Sequence, residues 1–502
     1  MQSDKKQATP IGLFIKKFKT SENHYIYDVN SNGILKVSEV IWDVVDLFFE
    51  PIDHILRGLK EKHPEEDIRI AYDTIKKAKE SGALGCHRPA IRSNDIQRYT
   101  VREMFENYGI QQLILDLTHR CNLFCKYCIF SGKYKNERTH NDKIMTRECA
   151  KKAVDFFMEH AGPRENPAVT FYGGETLLEF ALLKEVIEYV KRNQKEKKYK
   201  FALTTNGTLI NEQMIAFFVE NNVSLFISLD GPQDIHDRNR VRQNNTGSFD
   251  CIMNNLQRIK EYSPQYFADK VSYLSVITPP YDYDALHSFF YNNELFKSMK
   301  NPVKVSKVID FETIFPDETE WANEKVSYRN FIEKIIEKYK DALISADFDK
   351  PSIEREMLQR LLIKTVHFRA ITPLKEFHPA LGQCTPGLRR LLVNPDGNFY
   401  MCERVGEHFP IGNLEKGLDF DRIAEFLVQW DEFFKDCREC WALRFCQKCF
   451  NDLCRGDQLD KERKEAFCGD EVGAFERILS LYCEILEKNP DALKNMQAKD
   501  YL

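Results

Sequence analysis

The sequence predicts an α/β chain: a parallel sheet at its centre, a small separate module before it and a cysteine-rich region after it. Three observations carry this. Between about residues 110 and 345, six strand-like runs are each followed by a helical pattern. The first hundred residues read instead as three short strands with helices. Eight of the fifteen cysteines crowd between 384 and 468, and three more sit at 121, 125 and 128.

In the N-terminal module, Leu13–Phe18 and Tyr25–Val29 read as short strands. Asn32-Gly33 is a hairpin signal, because both residues tolerate positive φ. A third strand follows at Ile34–Val37. Ser38 fits a helix N-cap, and Ile41, Val44, Val45 and Phe48 then fall at the i, i+3, i+4, i+7 spacing of an amphipathic helix. A second helix is expected over Asp67–Lys79. Three strands with helices suggest a winged-helix-like domain, and Ser81–Ser93, with Gly82, Gly85 and Pro89, reads as its exit linker.

The central strands are expected at Leu113–Leu117, Val169–Tyr172, Phe201–Thr204, Ser224–Leu229, Val271–Ile277 and Val303–Ile309. Helices are expected at about 146–160, 177–193, 211–221, 249–262, 284–297 and 323–345. Right-handed crossovers in such number favour a barrel-like curl or a doubly wound sheet, and the strand pattern does not separate the two. Residues 353–370 read as one bridging helix. From Gly382 to Gly469 the elements are short, and Asp470–Lys488 is helical again.

Apolar residues make up 43% of the chain and charged residues 30%, as in soluble globular proteins. With 72 Lys and Arg against 77 Asp and Glu, the net charge of −5 gives no support to a nucleic-acid or membrane-surface binder. No apolar run approaches the roughly 20 residues of a membrane span. The N-terminal MQSDKKQATP lacks the apolar core of a secretory signal, so a cytoplasmic location is expected. Thiols stay reduced there, and clustered cysteines then point to metal rather than disulfides. The scattered Cys86, Cys149, Cys251 and Cys483 read as small packing residues.

The first cluster is Asp116-Leu-Thr-His-Arg-Cys121-Asn-Leu-Phe-Cys125-Lys-Tyr-Cys128, directly after the first central strand. Iron–sulfur cubes are normally held by four cysteine thiolates. Three on one tight loop leave one iron open to a small molecule. Zinc is the alternative, but structural zinc wants four protein ligands, and no fourth candidate lies close in sequence.

This loop resembles the mark of the radical S-adenosylmethionine (SAM) enzymes. The resemblance implies a partial (β/α)6 TIM-like barrel and a 4Fe-4S cluster on Cys121, Cys125 and Cys128 whose open iron binds SAM. Reductive cleavage of SAM would give a 5′-deoxyadenosyl radical that takes a hydrogen atom from the substrate. Further motifs end successive strands, where barrel active sites lie. The resemblance assigns Gly173, Gly174 and Glu175 to the SAM amino group. Thr205 and Asn206 follow strand three, and Ser228 and Asp230 follow strand four with polar groups suited to ribose hydroxyls. Arg240 looks like the partner of the SAM carboxylate, Arg being suited to bidentate recognition, with Arg242 its rival. Tyr127 would pack on the adenine, with Val276 and Ile277 on its other face.

The second cluster runs Cys384, Gly397, Cys402, then Cys437-x2-Cys440-x5-Cys446-x2-Cys449-x4-Cys454, and Cys468. It resembles the SPASM extension of radical SAM peptide-modifying enzymes, which implies two auxiliary 4Fe-4S clusters and three clusters in all. By that resemblance Cys437, Cys440, Cys446 and Cys468 hold the outer cluster, and Cys384, Cys402 and Cys449 the inner one. The commonest family spacing puts three residues after the Cys446 position; here there are two, and Cys454 is extra. Cys454 is then the true third inner ligand, a fourth that closes the inner cluster, or a plain thiol. A three-ligand inner cluster could bind a substrate thiolate, whereas a closed one could only pass electrons. Paired cysteines are also zinc-ribbon ligands, though interleaved sites fit iron–sulfur better. Glu403, directly after Cys402, is the candidate base.

The first 20 residues carry five lysines, but Asp28 and the acidic 39–50 region weaken a phosphate-binding reading, and no nucleic-acid partner is expected. The module resembles instead the peptide-recognition element of maturases of ribosomally made peptides. That implies a precursor peptide whose leader adds as a strand to its sheet on residues 1–100. The expected domains are 1–100 for leader recognition, 105–345 for the barrel, 346–380 as a bridge and 381–502 for the SPASM region. The stretches Gln383–Arg390 and Met401–Arg404 look most like maturases that make thioether bonds (ranthipeptide or SCIFF type). The expected function is therefore installation of sulfur-to-carbon crosslinks in a cysteine-containing precursor, with an electron donor such as flavodoxin or ferredoxin. The alternatives are a carbon–carbon crosslink or a formylglycine and, from another class, a zinc-stabilised peptide or DNA binder.

Overall fold

The computed structural model describes residues 12–92, 98–134, 137–163, 166–194, 197–300, 303–308, 318–345, 352–379, 384–405 and 407–496. Three antiparallel strands open it: β1 (Ile15–Lys19), β2 (His24–Asp28) and β3 (Gly33–Val37). The turn between β2 and β3 departs from the expected two-residue form. Gly33 already pairs with Asp28, so the loop is 29–32, and of its non-glycine residues Asn32 takes positive φ, at 61°. The Asp28 carboxylate holds this loop by accepting from the amides of Asn30, Ser31 and Leu84. Ser38 caps α1 (Glu39–Leu47), accepting from Ile41 N. The expected second helix is α3 (Glu65–Glu80). Between them lies α2 (Ile52–Leu59), whose two buried residues, Ile55 and Leu56, are too few to show a period in the sequence.

The N-terminal sheet is sandwiched. Ile26, Val44, Val45, Ile55, Ile68 and Ile75 form a core under its helices. Phe18, Tyr25 and Tyr27 on the opposite face join the core of the rest of the chain. The expected linker is likewise tied down, since Ala90–Ile91 pairs in parallel with Phe377–His378.

After α4 (Arg98–Tyr108) come β4 (Gln112–Thr118), β5 (Ala168–Gly173), β6 (Lys200–Thr205), β7 (Ser224–Ser228), β8 (Val271–Ile277) and β9 (Lys304–Lys307). The last expected strand residue, Ile309, lies outside the described residues. These six pair in chain order, every neighbour parallel. A doubly wound sheet reverses order at a switch point. Without one, right-handed crossovers put all helices on one face, so the other face turns inward and the sheet curls. Alternation along β4 shows both faces: Leu113, Leu115 and Leu117 pack in the helix-side core, while Ile114 packs with Tyr172, Leu392 and Tyr400.

The main crossover helices are α5 (Arg147–His160), α6 (Phe180–Asn193), α7 (Glu212–Glu220), α9 (Phe249–Tyr262), α11 (Tyr283–Asn292) and α12 (Glu318–Ile344). Sequence periodicity missed two short ones, α8 (Gln233–Asn239) and α10 (Pro264–Lys270). The bridge is wound with π-helical turns over Arg355–Ile363 before Lys364–His367. Among the described residues no helix is long and apolar enough to cross a membrane.

The cysteine-rich region extends the same sheet. β10 (Leu391–Val393) pairs in parallel with the free edge of β4, and β11 (Asn398–Tyr400), β12 (Gly412–Asn413) and β13 (Gly417–Leu418) follow antiparallel to give ten strands. Then come α13 (Phe420–Phe433) and α14 (Lys461–Lys488). α14 starts earlier than expected because Asp460 caps it, accepting from Arg463 N; Cys468 is therefore helical. Glu487 near its far end accepts from Thr20, Asn23 and Tyr25 and fastens the N-terminal module. Of the expected features here, Gly382 and Gln383 lie outside the described residues.

Phe171 on β5 is fully buried. Phe171→Ala should cost about 3–5 kcal/mol by transfer and cavity effects, read as a lowered thermal unfolding midpoint with unchanged secondary structure below it.

Candidate active site

The three-cysteine loop leaves β4 at Thr118 and is clamped by main-chain hydrogen bonds. Gly174 N donates to Thr118 O (2.7 Å) and Glu175 N to Arg120 O (2.8 Å). Gly173 takes φ +144°, and a Cβ on either glycine would collide with the carbonyl oxygen of Thr118 or Arg120. The glycine pair is thus what lets the loop's take-off lie against β5. On its other side Phe124 N donates to Val241 O and Lys126 N to Asn239 O. Asn206 donates to Asn122, which in turn donates to Thr208.

Cys121, Cys125 and Cys128 all border one cavity of about 460 Å³. Tyr127, Gly173, Gly174, Thr205, Asn206, Ser228, Arg240 and Val276 border it too, so strand ends far apart in sequence meet as expected. Ile277 is buried, and Val276 is the residue of that pair on the wall.

Glu175 and Asp230 sit elsewhere than expected. Both are 1% exposed and neither is on the cavity wall. The Glu175 carboxylate accepts from Leu177 N (3.0 Å), Thr205 Oγ1 (2.6 Å) and Asn206 N (2.7 Å). Burial raises its pKa, and these donors oppose the rise. Asp230 accepts from Tyr127 Oη, Arg240 Nε (3.0 Å) and Val276 N (3.1 Å). Each carboxylate is engaged by the residues that reach the wall, and so positions them. Burial works against the charge of Arg240, but the Asp230 carboxylate beside it outweighs burial and keeps the guanidinium protonated. Its Nη1 lies 4.0 Å from Cys125 Sγ.

His236 completes this knot. Asp230 N donates to its Nδ1 (3.3 Å), its Nε2–H donates to Ser248 Oγ (2.9 Å), and that hydroxyl donates to Arg240 O (2.9 Å). This arrangement needs the neutral ring, and burial lowers its pKa to about 4.

Burial pushes the Cys121 thiol up to about 12, Cys125 to about 11 and Cys128 upward as well. Thiols in so dry a wall ionise only against strong positive charge, which bound iron supplies. His140, which no spacing in the sequence announced, has Nδ1 2.9 Å from His119 O and Nε2 3.7 Å from Cys128 Sγ. Among the described residues no three His, Cys, Asp or Glu side chains converge as one metal ion would require. Three thiols bordering one cavity suit an iron–sulfur cube, in which each ligates its own iron.

The C-terminal region also borders this cavity, with Glu403, Arg404, His408, Asp452, Cys454 and Arg463 among its residues. Glu403 Oε1 accepts from Arg390 Nη1 at 2.5 Å, while Oε2 is buried and has no hydrogen-bond partner among the described residues. Neighbouring C-terminal thiols influence one another's ionisation. After burial, Cys440 and Cys468 are raised by Cys437, and Cys446 by Cys440. Cys402 and Cys454 both feel Cys449, which feels Cys384. Cys454 borders the cavity.

Residues 115–290 match the Radical SAM superfamily profile, so the chain carries a radical SAM domain. Over 160 residues it is 34% identical to the cysteine-type anaerobic sulfatase-maturating enzyme of Clostridium novyi (strain NT), covering 32% of this chain and 42% of that one. Over 151 residues it is 30% identical to the serine-type enzyme of Bacteroides thetaiotaomicron, covering 30% and 36%. The chain therefore spans less than half the length of these two relatives. A longer match, 22% identical over 349 residues, covers 67% of this chain and 87% of a cysteine-type enzyme of Clostridium perfringens (strain ATCC 13124). The solved structure of native anSMEcpe with bound AdoMet superposes with a TM-score of 0.54 at 20% identity, over 74% of this chain and 99% of that one, and shows the same fold.

Two outcomes are expected. Asp230→Ala, which strands the buried Arg240 charge, should cost about 3–5 kcal/mol, measured by denaturant titration. Stability should also fall with acidity. The folded pKa of His236 lies below its ordinary 6.5, at about 4, so its contribution is full above about 6.5 and lost as pH falls toward 4. His236→Gln should flatten that part of a plot of thermal midpoint against pH.

Proposed function

We propose that this chain is a radical SAM maturase that crosslinks a cysteine sulfur to a carbon atom within a ribosomally made precursor peptide. The observation that supports it is a shared cavity, bordered by Cys121, Cys125 and Cys128 and, from the C-terminal region, by Glu403 and Cys454. When bound, a 4Fe-4S cluster on the three-cysteine loop together with SAM would supply a hydrogen-abstracting radical. The chain's own residues do the rest. Arg240, held by Asp230, offers its remaining guanidinium donors to a carboxylate. The glycine pair brings backbone close to the same ligand. Tyr127 and Val276 give an aromatic and an aliphatic surface for a flat ring. Glu403 Oε2 is free to take a proton from a peptide thiol, while Arg390 fixes the carboxylate by its other oxygen. The outer cysteine set (437, 440, 446, 468) and the inner set (384, 402 and 449, with 454 an alternative third ligand, a fourth or a plain thiol) would hold auxiliary clusters, which when bound would supply an acceptor for the surplus electron. Residues 1–100 dock the leader, 105–345 form the barrel, 346–380 the bridge and 381–502 the auxiliary region.

A second reading is oxidation of a cysteine to formylglycine. What favours it is the name of the relatives, cysteine-type anaerobic sulfatase-maturating enzymes. The two differ in the fate of sulfur, which a thioether keeps and a formylglycine loses.

The test is mass spectrometry of the precursor after anaerobic incubation with enzyme, SAM and dithionite. A crosslink should remove one pair of hydrogens, retain sulfur and block alkylation of the cysteine. A product that has lost sulfur and reacts with a hydrazine probe would establish formylglycine instead. Cys125→Ala should abolish 5′-deoxyadenosine formation. Glu403→Gln should leave that formation intact and slow crosslinking by about 10²–10⁴-fold, as for a lost general base.

A further inference from the structure

The loop from Cys437 to Cys446 does more than carry thiols: its other side chains meet the N-terminal module. Tyr27, in the central strand β2, is fully buried. Its ring centroid lies 4.7 Å from that of Phe445 and 6.2 Å from that of Trp441. Arg444 Nη1 donates to Val29 O (3.2 Å) and Asn30 O (3.4 Å) in the turn after β2, and also to Thr372 O (2.8 Å). Arg88 Nε pairs with Glu439 at 3.2 Å, and the same guanidinium lies 3.9 Å over the Phe14 ring. β2 pairs with β1 on one side and β3 on the other, so whatever holds β2 sets both edges of that sheet. The loop itself is built of two short 3-10 turns, Lys435–Glu439 and Trp441–Arg444. Turns this short do not stand alone. A metal group on the four outer cysteines would tie the loop to α14, which carries Cys468, and metal binding of this kind adds directly to folding free energy.

We infer that the outer cysteine site is the platform on which the N-terminal module is seated: metal bound there fixes the loop that holds β2, and the seated module in turn secures the metal. Coupling between two sites is reciprocal, so each stabilises the other by the same factor. Tyr27 and Arg444 are positioning residues and touch no substrate. The edges on which a leader strand could add are then in place only when the outer site is loaded, which ties peptide capture to a complete enzyme. The inference rests on the reading above that Cys437, Cys440, Cys446 and Cys468 form one metal site.

The experiment is hydrogen–deuterium exchange of the full-length, anaerobically reconstituted protein, with iron content and iron release to a chelator measured in parallel. Cys440→Ala should lose part of the iron and quicken amide exchange across residues 24–37 by about 5- to 150-fold, the usual range for coupled sites, with β6 of the barrel at its parental rate. Cys125→Ala, which empties the other loop, should leave residues 24–37 at their parental rate. In the reverse direction, Arg444→Met should speed release of the iron that Cys440→Ala lacks by a factor in the same range. If Cys440→Ala does not fold, Arg444→Met and Arg88→Met read the linkage from the iron side. Loss of iron from Cys440→Ala with parental exchange across residues 24–37, or parental iron release from both arginine variants, overturns the inference and leaves the metal site standing. If Cys440→Ala keeps all its iron, the assignment of the site fails and the inference falls with it.

Discussion

A buried carboxylate and a buried guanidinium organise this molecule. Asp230 and Arg240 lie 3.0 Å apart, and each is almost without solvent. A pair like this adds little net stability compared with a well-packed apolar core. Its value is geometric. Asp230 also takes the Tyr127 hydroxyl from the cysteine loop and the Val276 amide from β8. The loop, the end of β7, the end of α8 and β8 are thereby fixed to one pair of oxygen atoms. Glu175 does the same between β5 and β6. Two fully engaged carboxylates hold the wall residues, and the wall residues are left to face the cavity.

The cavity is asymmetric. Its barrel side combines three thiols and a charge-compensated arginine with main-chain donors, an environment for a charged small molecule. Its C-terminal side has Glu403 with one oxygen committed to Arg390 and the other open, beside Arg404, His408 and Asp452. Burial raises the pKa of Asp452 and lowers that of His408, so both are biased toward neutrality. That side offers acid–base groups, with Cys454 its one thiol among the described cavity residues.

Much of this was legible in the sequence. The six strands were, because they are short β-branched and aromatic runs such as Val271–Ile277, and their chain-order pairing then chose the curled sheet. The cavity-lining motifs were legible because each ends a strand. What was not legible depended on packing. α2 and α8 are too short to show a period. Glu175 and Asp230 were recognisable as motif residues, but nothing in their spacing says that they face away from the cavity. His140 has no motif at all; it acquires its place only when the fold brings it against Cys128. The pairing of β10 with β4 was equally invisible, since three apolar residues, Leu391–Val393, carry no register information by themselves.

That last pairing has a mechanical result. β4 launches the loop of Cys121, Cys125 and Cys128, and β11 runs directly into Cys402, with β10 hydrogen-bonded between them. Adjacent strands are held at about 4.8 Å by their ladder. Whatever the two cysteine sets carry, the interval between them is indexed by a rack of peptide bonds instead of by a hinge. An electron crossing from one to the other would meet the same gap in every turnover, however large or mobile the guest that fills the space above.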